Sequence, residues 1–203
     1  IHAMLTAQIA AEYPDLDIKK ILDWELSLYD TQAPGFVGLN NDFIASARLD
    51  NLLSCFGGLQ AIINSADSGE WNLFVANDHE EVGSASAVGA QGPMLNDVLR
   101  AIAPDPVDDR ALRQSSWMLS VDNAHAIHPN YPTKHDELHA PLLGSGPVIK
   151  INRNQRYATS GEGAARVRLL AERAGVSVQS FVVRADMGCG STIGPITATE
   201  TGI

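Results

Sequence analysis

Apolar positions along this chain repeat with two periods, and stretches of the two kinds alternate. Residues 1–12 place Ile1, Met4, Leu5 and Ile9 at helical spacing, and Tyr13-Pro14 ends the run. Residues 19–22 form a short turn or helix. Residues 23–29 alternate instead, with Trp24, Leu26 and Leu28 on one face, which predicts a strand. A turn through Pro34-Gly35 leads to a second short strand over 36–39, and Asn40-Asn41-Asp42 turns the chain again. After an extended run to Ser46, a helix is predicted with Leu52, Leu53, Phe56, Leu59, Ile62 and Ile63 on one stripe. Residues 71–76 predict a buried strand. The second half of 84–103 predicts a helix through Met94, Leu95, Val98, Leu99 and Ile102, and 104–109 reads as a polar loop. Strands are expected at 117–121, 148–151 and 176–183. An amphipathic helix is expected over 161–175, with a weaker helical pattern over 193–201.

Alternating helices and strands predict an α/β layered domain with a largely parallel sheet. Ligands in such sheets bind beyond the carboxyl ends of the strands. The 203 residues, 45% of them hydrophobic, are enough for one sizeable core. A formal net charge of −10 argues against a nucleic-acid-binding surface, which needs excess Lys and Arg. No apolar run approaches the roughly 18–20 residues of a membrane span. Cys55 and Cys189 form no CxxC pair, so neither a cysteine-held zinc nor a disulfide framework is indicated. The N-terminus lacks a signal-like core, and the acidic balance fits a cytoplasmic protein.

Candidate chemistry gathers where strands end. Asp78-His79-Glu80-Glu81 puts four potential proton carriers or metal ligands directly after the apolar run 71–76. Carboxylates are rarely buried unpaired, so such a cluster faces either a cation or water. Adjacent glutamates can divide the work, one holding a metal and one moving a proton; a solvated acidic turn is the plainer alternative. Asp122 follows the strand at 117–121, and Asp50 opens a helix. Each also has a local reading, an Asx-turn for Asp122 and an N-terminal charge for Asp50. Residues 123–146 are long and irregular, with His125, His128, His135 and His139. A loop of that length in a compact domain is either functional or disordered. His125 and His128 could form an i, i+3 metal pair or belong to a polar loop. Lys150 lies inside an apolar strand and either snorkels to solvent or meets an anionic substrate. Tyr157 could be an aromatic at the rim. Residues 188–194 are glycine-rich after a strand but do not match GxGxxG.

Six ordered strings are more specific than any of these alone. Ser46-Ala47-Arg48-Leu49-Asp50-Asn51-Leu52 comes first, then Asn77-Asp78-His79-Glu80-Glu81-Val82-Gly83-Ser84, then Ala124-His125-Ala126-Ile127-His128-Pro129-Asn130-Tyr131. Gly146-Pro147-Val148-Ile149-Lys150, Gln155-Arg156-Tyr157-Ala158 and Gly188-Cys189-Gly190-Ser191-Thr192-Ile193-Gly194-Pro195 follow. Together they resemble the M18 family of metallo-aminopeptidases, the aspartyl aminopeptidase group, from about Leu22 to the last residue.

The resemblance implies a three-layer α/β/α zinc-peptidase-like domain with a mostly parallel mixed sheet, present in part. It implies two zinc ions (other divalent metals are compatible) bridged by Asp50, with Glu81 on one and Asp122 on the other. Glu80 would be the general base, His125 would contact the scissile carbonyl or its oxyanion, and Lys150 and Tyr157 would hold substrate. A cation at Lys150 favours an acidic N-terminal side chain on the peptide substrate. Residues 1–22 would be the end of an inserted dimerisation domain and 23–203 the central and later catalytic domain, in a protein that forms homo-oligomers. Two histidine ligands that the family uses, one upstream of Asp50 and one downstream of Pro195, have no counterpart here. The expectation is therefore a chain lacking part of the protein at both ends. A non-catalytic fragment or assembly module of the same fold is the alternative.

Overall fold

The computed structural model describes residues 1–66 and 68–203. They form two compact units, Ile1–Ala47 and Arg48–Ile203.

In the first unit, helix α1 (His2–Glu12) ends at Tyr13, whose N–H donates to the Ile9 carbonyl, just before Pro14. The rings of His2 and Trp24 meet edge to face, with centroids 4.6 Å apart. Strands β1 (Gly35–Val37) and β2 (Phe43–Ala45) pair antiparallel, with Phe36 opposite Ile44. Gly38 makes the turn possible: its φ is +99°, and an added Cβ would lie 2.6 Å from an Asp42 carboxylate oxygen. The strand expected over 23–29 is not one. Alternation supplies a face, but a strand also needs a ladder partner, and residues 23–29 make none.

The second unit begins with α2 (Leu49–Asn64). Arg48 is left-handed, and Asp50 and Asn51 are non-helical within the first turn. Asp50 is thus carried on a bend ahead of the regular helix rather than within it. Gly58 lets α2 approach the extended segment 71–76, since an added Cβ would lie 2.4 Å from the Phe74 ring. The apolar stripe of α2 stays largely exposed, with Leu53 at 57% and Phe56 at 62%.

Helices α3 (Met94–Ile102) and α4 (Pro106–Ser115) follow. The polar loop expected at 104–109 is in fact the start of α4. Asp105 caps it by accepting from the N–H groups of Val107 and Asp108, and Pro106 takes the first helical position. The same Asp-Pro and acidic residues fit a loop and a helix start equally, and the polar character of 104–109 masked the second. Arg113 of α4 is a hub. Its Nε donates to the Asp109 carboxylate at 2.9 and 3.0 Å, and Nη1 donates to Asn96 Oδ1 of α3 and to the Thr201 carbonyl. Thr201 ends the last helix, α6 (Ile193–Thr201).

Strand β3 (Val148–Ile151), helix α5 (Gly161–Ala174) and strand β4 (Gln179–Val182) form a βαβ unit with a parallel ladder, Lys150 opposite Phe181. Ser160 caps α5 and left-handed Gly175 closes it, and the helix falls where the amphipathic pattern expects it. Arg168 of α5 donates to Ser180 Oγ at 2.6 Å, so that face of β4 looks toward the helix. Side chains alternate across a strand, so Phe181 looks the other way. Ile149 and Phe181, each 6% exposed, are the buried centre of this unit.

The expected strands at 71–76 and 117–121 carry no ladder, and among the described residues the single sheet expected from the sequence appears as two separate ladders, β1–β2 and β3–β4. The irregular region 123–146 is tied to its surroundings by hydrogen bonds. Ile127 N–H donates to the Pro141 carbonyl, Arg184 donates to the Thr133 carbonyl, and the Gln179 amide bridges Leu142 and Gly146.

Gly146 and Gly175 separate two costs of a side chain. Both have positive φ, +90° and +66°, but a Cβ on Gly146 would fall 1.9 Å from the Ser177 carbonyl oxygen, whereas Gly175 faces open space. Gly175→Ala is expected to cost about 1 kcal/mol from backbone strain alone. Gly146→Ala is expected to cost at least about 2–3 kcal/mol more, because β3 must move away from the start of β4. Urea denaturation of both variants in the intact protein measures the difference, and equal losses would show that the close approach has no energetic weight.

Candidate active site

Four carboxylates converge in the second unit: Asp50 from the bend before α2, Glu80 and Glu81 from a 3-10 turn (Glu80–Val82), and Asp122 from the end of the extended segment 117–122. The turn that presents the glutamates is built from its neighbours. His79 is left-handed, its backbone N–H donates to the Asp78 side chain, and its ring Nδ1 lies 2.7 Å from Ser86 Oγ. Ser84, only 1% exposed and left-handed, returns its N–H to the His79 carbonyl. His79 therefore shapes the turn, while Glu80 and Glu81 face the other carboxylates.

Asp122 is the best-anchored member. Its Oδ1 accepts from Asn51 Nδ2 at 3.0 Å and its Oδ2 accepts from Lys150 Nζ at 2.8 Å. Lys150 also donates to the Asn123 carbonyl at 2.7 Å, and Ser54 Oγ of α2 reaches Asn123 Oδ1. Lys150 does not snorkel: its side chain is 16% exposed and its ammonium faces inward. An ammonium has three N–H donors, so one remains after these two bonds. Asn51 and Asn123 are site residues that the sequence argument passed over. Their signal was position, each being the residue directly after a candidate carboxylate.

Crowding shows in the proton affinities. Partial burial, then Asp122 by charge and by hydrogen bond, then Glu81, push Asp50 above the usual carboxylate range, with Lys150 pulling the other way. Glu80 is raised by burial, then by Glu81, Asp122 and Asp50, and Lys150 again opposes. This excess of negative oxygen is a hard donor set that suits a divalent cation in charge and in chemistry. The carboxylates perturb one another, yet among the described residues no three His, Cys, Asp or Glu groups are arranged around one point to hold an ion. The fit is therefore one of charge and donor type, from part of a ligand set.

Residues 123–146 bring His125 onto Phe181, the residue opposite Lys150 in the β3–β4 ladder. His125 Nδ1 lies 3.2 Å from His135 Nε2, and both rings pack edge-on against Phe181. His128 instead accepts the Asn130 N–H and leans on Tyr131, so it does not join His125. His139 bonds Asp136 and holds that carboxyl below its usual range. Tyr157 lies beside Lys150, whose Nζ is 5.7 Å from the ring centroid, and also faces Phe181. Burial, then a hydrogen bond with the Cys189 side chain, holds the Tyr157 phenol well above the ordinary tyrosine range. Gly188 and Gly190 have open space where a Cβ would go, so the glycine-rich loop is not a tight cradle.

Carboxylates that raise one another's proton affinity, a lysine bonded to one of them and a neighbouring βαβ unit make up an α/β domain with an acidic polar site. The chain belongs to the M18 peptidase family: the family model described as "Aminopeptidase I zinc metalloprotease (M18)" matches residues 1–203. "Probable M18 family aminopeptidase 2" of Pseudomonas entomophila is 59% identical over 202 residues, covering 100% of this chain and 47% of that protein. The chain thus spans about half the length of the curated relatives it matches. Among solved structures, the cryo-EM structure of the Ape4 and Nbr1 complex superposes with a TM-score of 0.86 at 38% identity, covering 100% of this chain and 41% of that one. The S. cerevisiae mApe1 dodecamer superposes with a TM-score of 0.81 at 30% identity, covering 98% and 46%. The α/β zinc-peptidase-like fold expected from the sequence is the fold of these relatives, present here in part. Among the described residues no helix is long and apolar enough to cross a membrane.

The raised carboxylates set a sign for pH. Asp50 and Glu80 hold protons more tightly folded than unfolded, so their contribution to stability is full at low pH and is lost as pH rises through the raised values. With a chelator present, Asp50→Asn is expected to soften the loss of melting temperature between about pH 4 and about pH 7. Thermal unfolding across that window measures it; parallel curves for variant and parent would show that the carboxylates do not interact.

Proposed function

We propose that the protein carrying this chain is a zinc aminopeptidase that removes the N-terminal residue, Asp or Glu, from peptides. The observation that carries the reading is the pair Glu80-Glu81 facing Asp50 and Asp122. In this reading Asp50, Glu81 and Asp122 would be the residues of this chain that hold the two zinc ions. When bound, the ions supply Lewis-acid polarisation and lower the pKa of water towards neutrality.

Glu80 takes the proton of the attacking water and passes it to the leaving amine. A base is most effective when its pKa is near the working pH, and the upward push on Glu80 moves it in that direction. It must remain outside the ligand set to accept a proton, which is why neighbouring glutamates with separate jobs suit the chemistry. His125 donates to the developing oxyanion. The remaining N–H of Lys150, beside the Tyr157 ring, meets the acidic side chain of the substrate. The resemblance supports residues 1–22 as the end of an inserted dimerisation domain and 23–203 as catalytic domain. The exposed stripe of α2 supports further polypeptide packing there. The acidic charge and the family resemblance support a cytoplasmic homo-oligomer that binds neither nucleic acid nor membrane.

In the intact protein, Glu80→Gln is expected to keep its zinc content and lose about 10²–10⁴-fold in kcat. Metal analysis paired with turnover measures both, and near-normal turnover would remove Glu80 from the role. If the parent neither binds zinc nor cleaves peptides, the chain belongs instead to a non-catalytic assembly module. Lys150→Ala is expected to lower kcat/KM at least about tenfold more for Asp-terminated than for Leu-terminated peptides. Equal losses on the two substrates would sink the specificity assignment.

A further inference from the structure

We propose that His135 fixes the tautomer of His125: His135 Nε2–H donates to His125 Nδ1, so that His125 presents Nε2–H to the site as a neutral hydrogen-bond donor. The nitrogens are 3.2 Å apart and the rings meet edge to face at 79°, with centroids 5.1 Å apart. Phe181 holds both rings from below, at 5.4 Å for His125 and 6.5 Å for His135.

The direction of the bond follows from the other nitrogen of His135. Its Nδ1 is shut off from solvent and has no hydrogen-bond partner. A neutral imidazole carries one N–H and one lone pair. If Nδ1 carried the hydrogen, a buried donor would be orphaned, which folded proteins rarely tolerate. If Nε2 carries it, the orphan is only a lone pair. Burial, and then the neighbouring His125, lower the pKa of His135, so the doubly protonated ring is disfavoured as well. His135 Nε2–H is therefore the donor, His125 Nδ1 is the acceptor, and the hydrogen of neutral His125 is left on Nε2.

That tautomer matters for the reaction. A carbonyl oxygen gaining negative charge is stabilised by an N–H and repelled by a lone pair. Through one ring–ring bond, His135 selects which of these His125 offers. It is a positioning residue, acting through His125. This role rests on the reading of His125 as the oxyanion partner, while the tautomer itself does not.

Neutron diffraction from deuterated crystals of the intact protein is expected to show deuterium on Nε2 of both rings and on Nδ1 of neither. Deuterium on Nδ1 of either ring would overturn the inference. Kinetics test the consequence. His135→Phe keeps a ring on Phe181 without a donor, and His135→Gln places an amide N–H at the same distance from the backbone as Nε2. His135→Phe is expected to lower kcat about 10–100-fold with KM changed by less than about threefold, and His135→Gln to recover to within about fivefold of the parent. Equal impairment in the two variants, or a parental kcat in His135→Phe, would count against the positioning role. His125→Phe measured alongside separates the two ideas: a normal kcat there removes His125 from the reaction and leaves the neutron map to decide the tautomer.

Discussion

The ammonium of Lys150 sits between the Asp122 carboxylate and the Asn123 carbonyl, and the charge balance of the site depends on it. Its charge opposes the raised proton affinities of both Asp50 and Glu80. It also fixes geometry. The parallel register sets Lys150 opposite Phe181, so the residue that anchors Asp122 and the residue that supports three site rings occupy one level of the β3–β4 ladder. A one-residue slip of either strand would put Lys150 and Phe181 on opposite faces of the ladder. Electrostatics and aromatic packing are therefore set by one backbone pairing.

Helices with an apolar stripe were legible: α1, α3 and α5 lie close to where the spacing puts them. So was the parallel pair around α5, because β3 and β4 are short apolar runs flanking a helix. The segments 71–76 and 117–121 carry the same apolar signal but no ladder, since pairing is a property of two segments and periodicity reports on one. Helix α4 was hidden by its own start signals, which are polar and read equally as loop. In the site, Glu80, Glu81 and Asp122 could be found from their positions at the ends of apolar runs, and Asp50 from its position at a helix start. Asn51 and Asn123 had only their place beside a candidate carboxylate as a signal, and the partner of His135 could not be read, since each bonds a residue that spacing does not pair it with. The inward turn of Lys150 was likewise invisible, because a lysine in an apolar strand has the same spelling whether it reaches out or in.

The histidines illustrate how much partner choice decides. Of the four in 123–146, His128 and His139 bond within three residues of themselves and serve the loop. His125 and His135 are ten residues apart and meet because Phe181 offers both an apolar seat. Spacing allowed His125 to pair with His128 or to lie in a polar loop; the fold pairs His125 with His135.

The guanidinium of Arg113 has a consequence for the order in which the chain matures. Its carboxylate partner, Asp109, is one helical turn away, but its bond to the Thr201 carbonyl spans 88 residues, and Asn96 reaches the Glu200 carbonyl across 104. During synthesis, at about 5–20 residues per second, α3 and α4 would wait several seconds for these acceptors to leave the ribosome. In that interval the apolar side of α3 lacks α6 and the inner N–H of Arg113 is left to water. The helix pair is thus exposed to chaperones and proteases until α6 arrives, and the later part of the chain acts as the latch for the earlier.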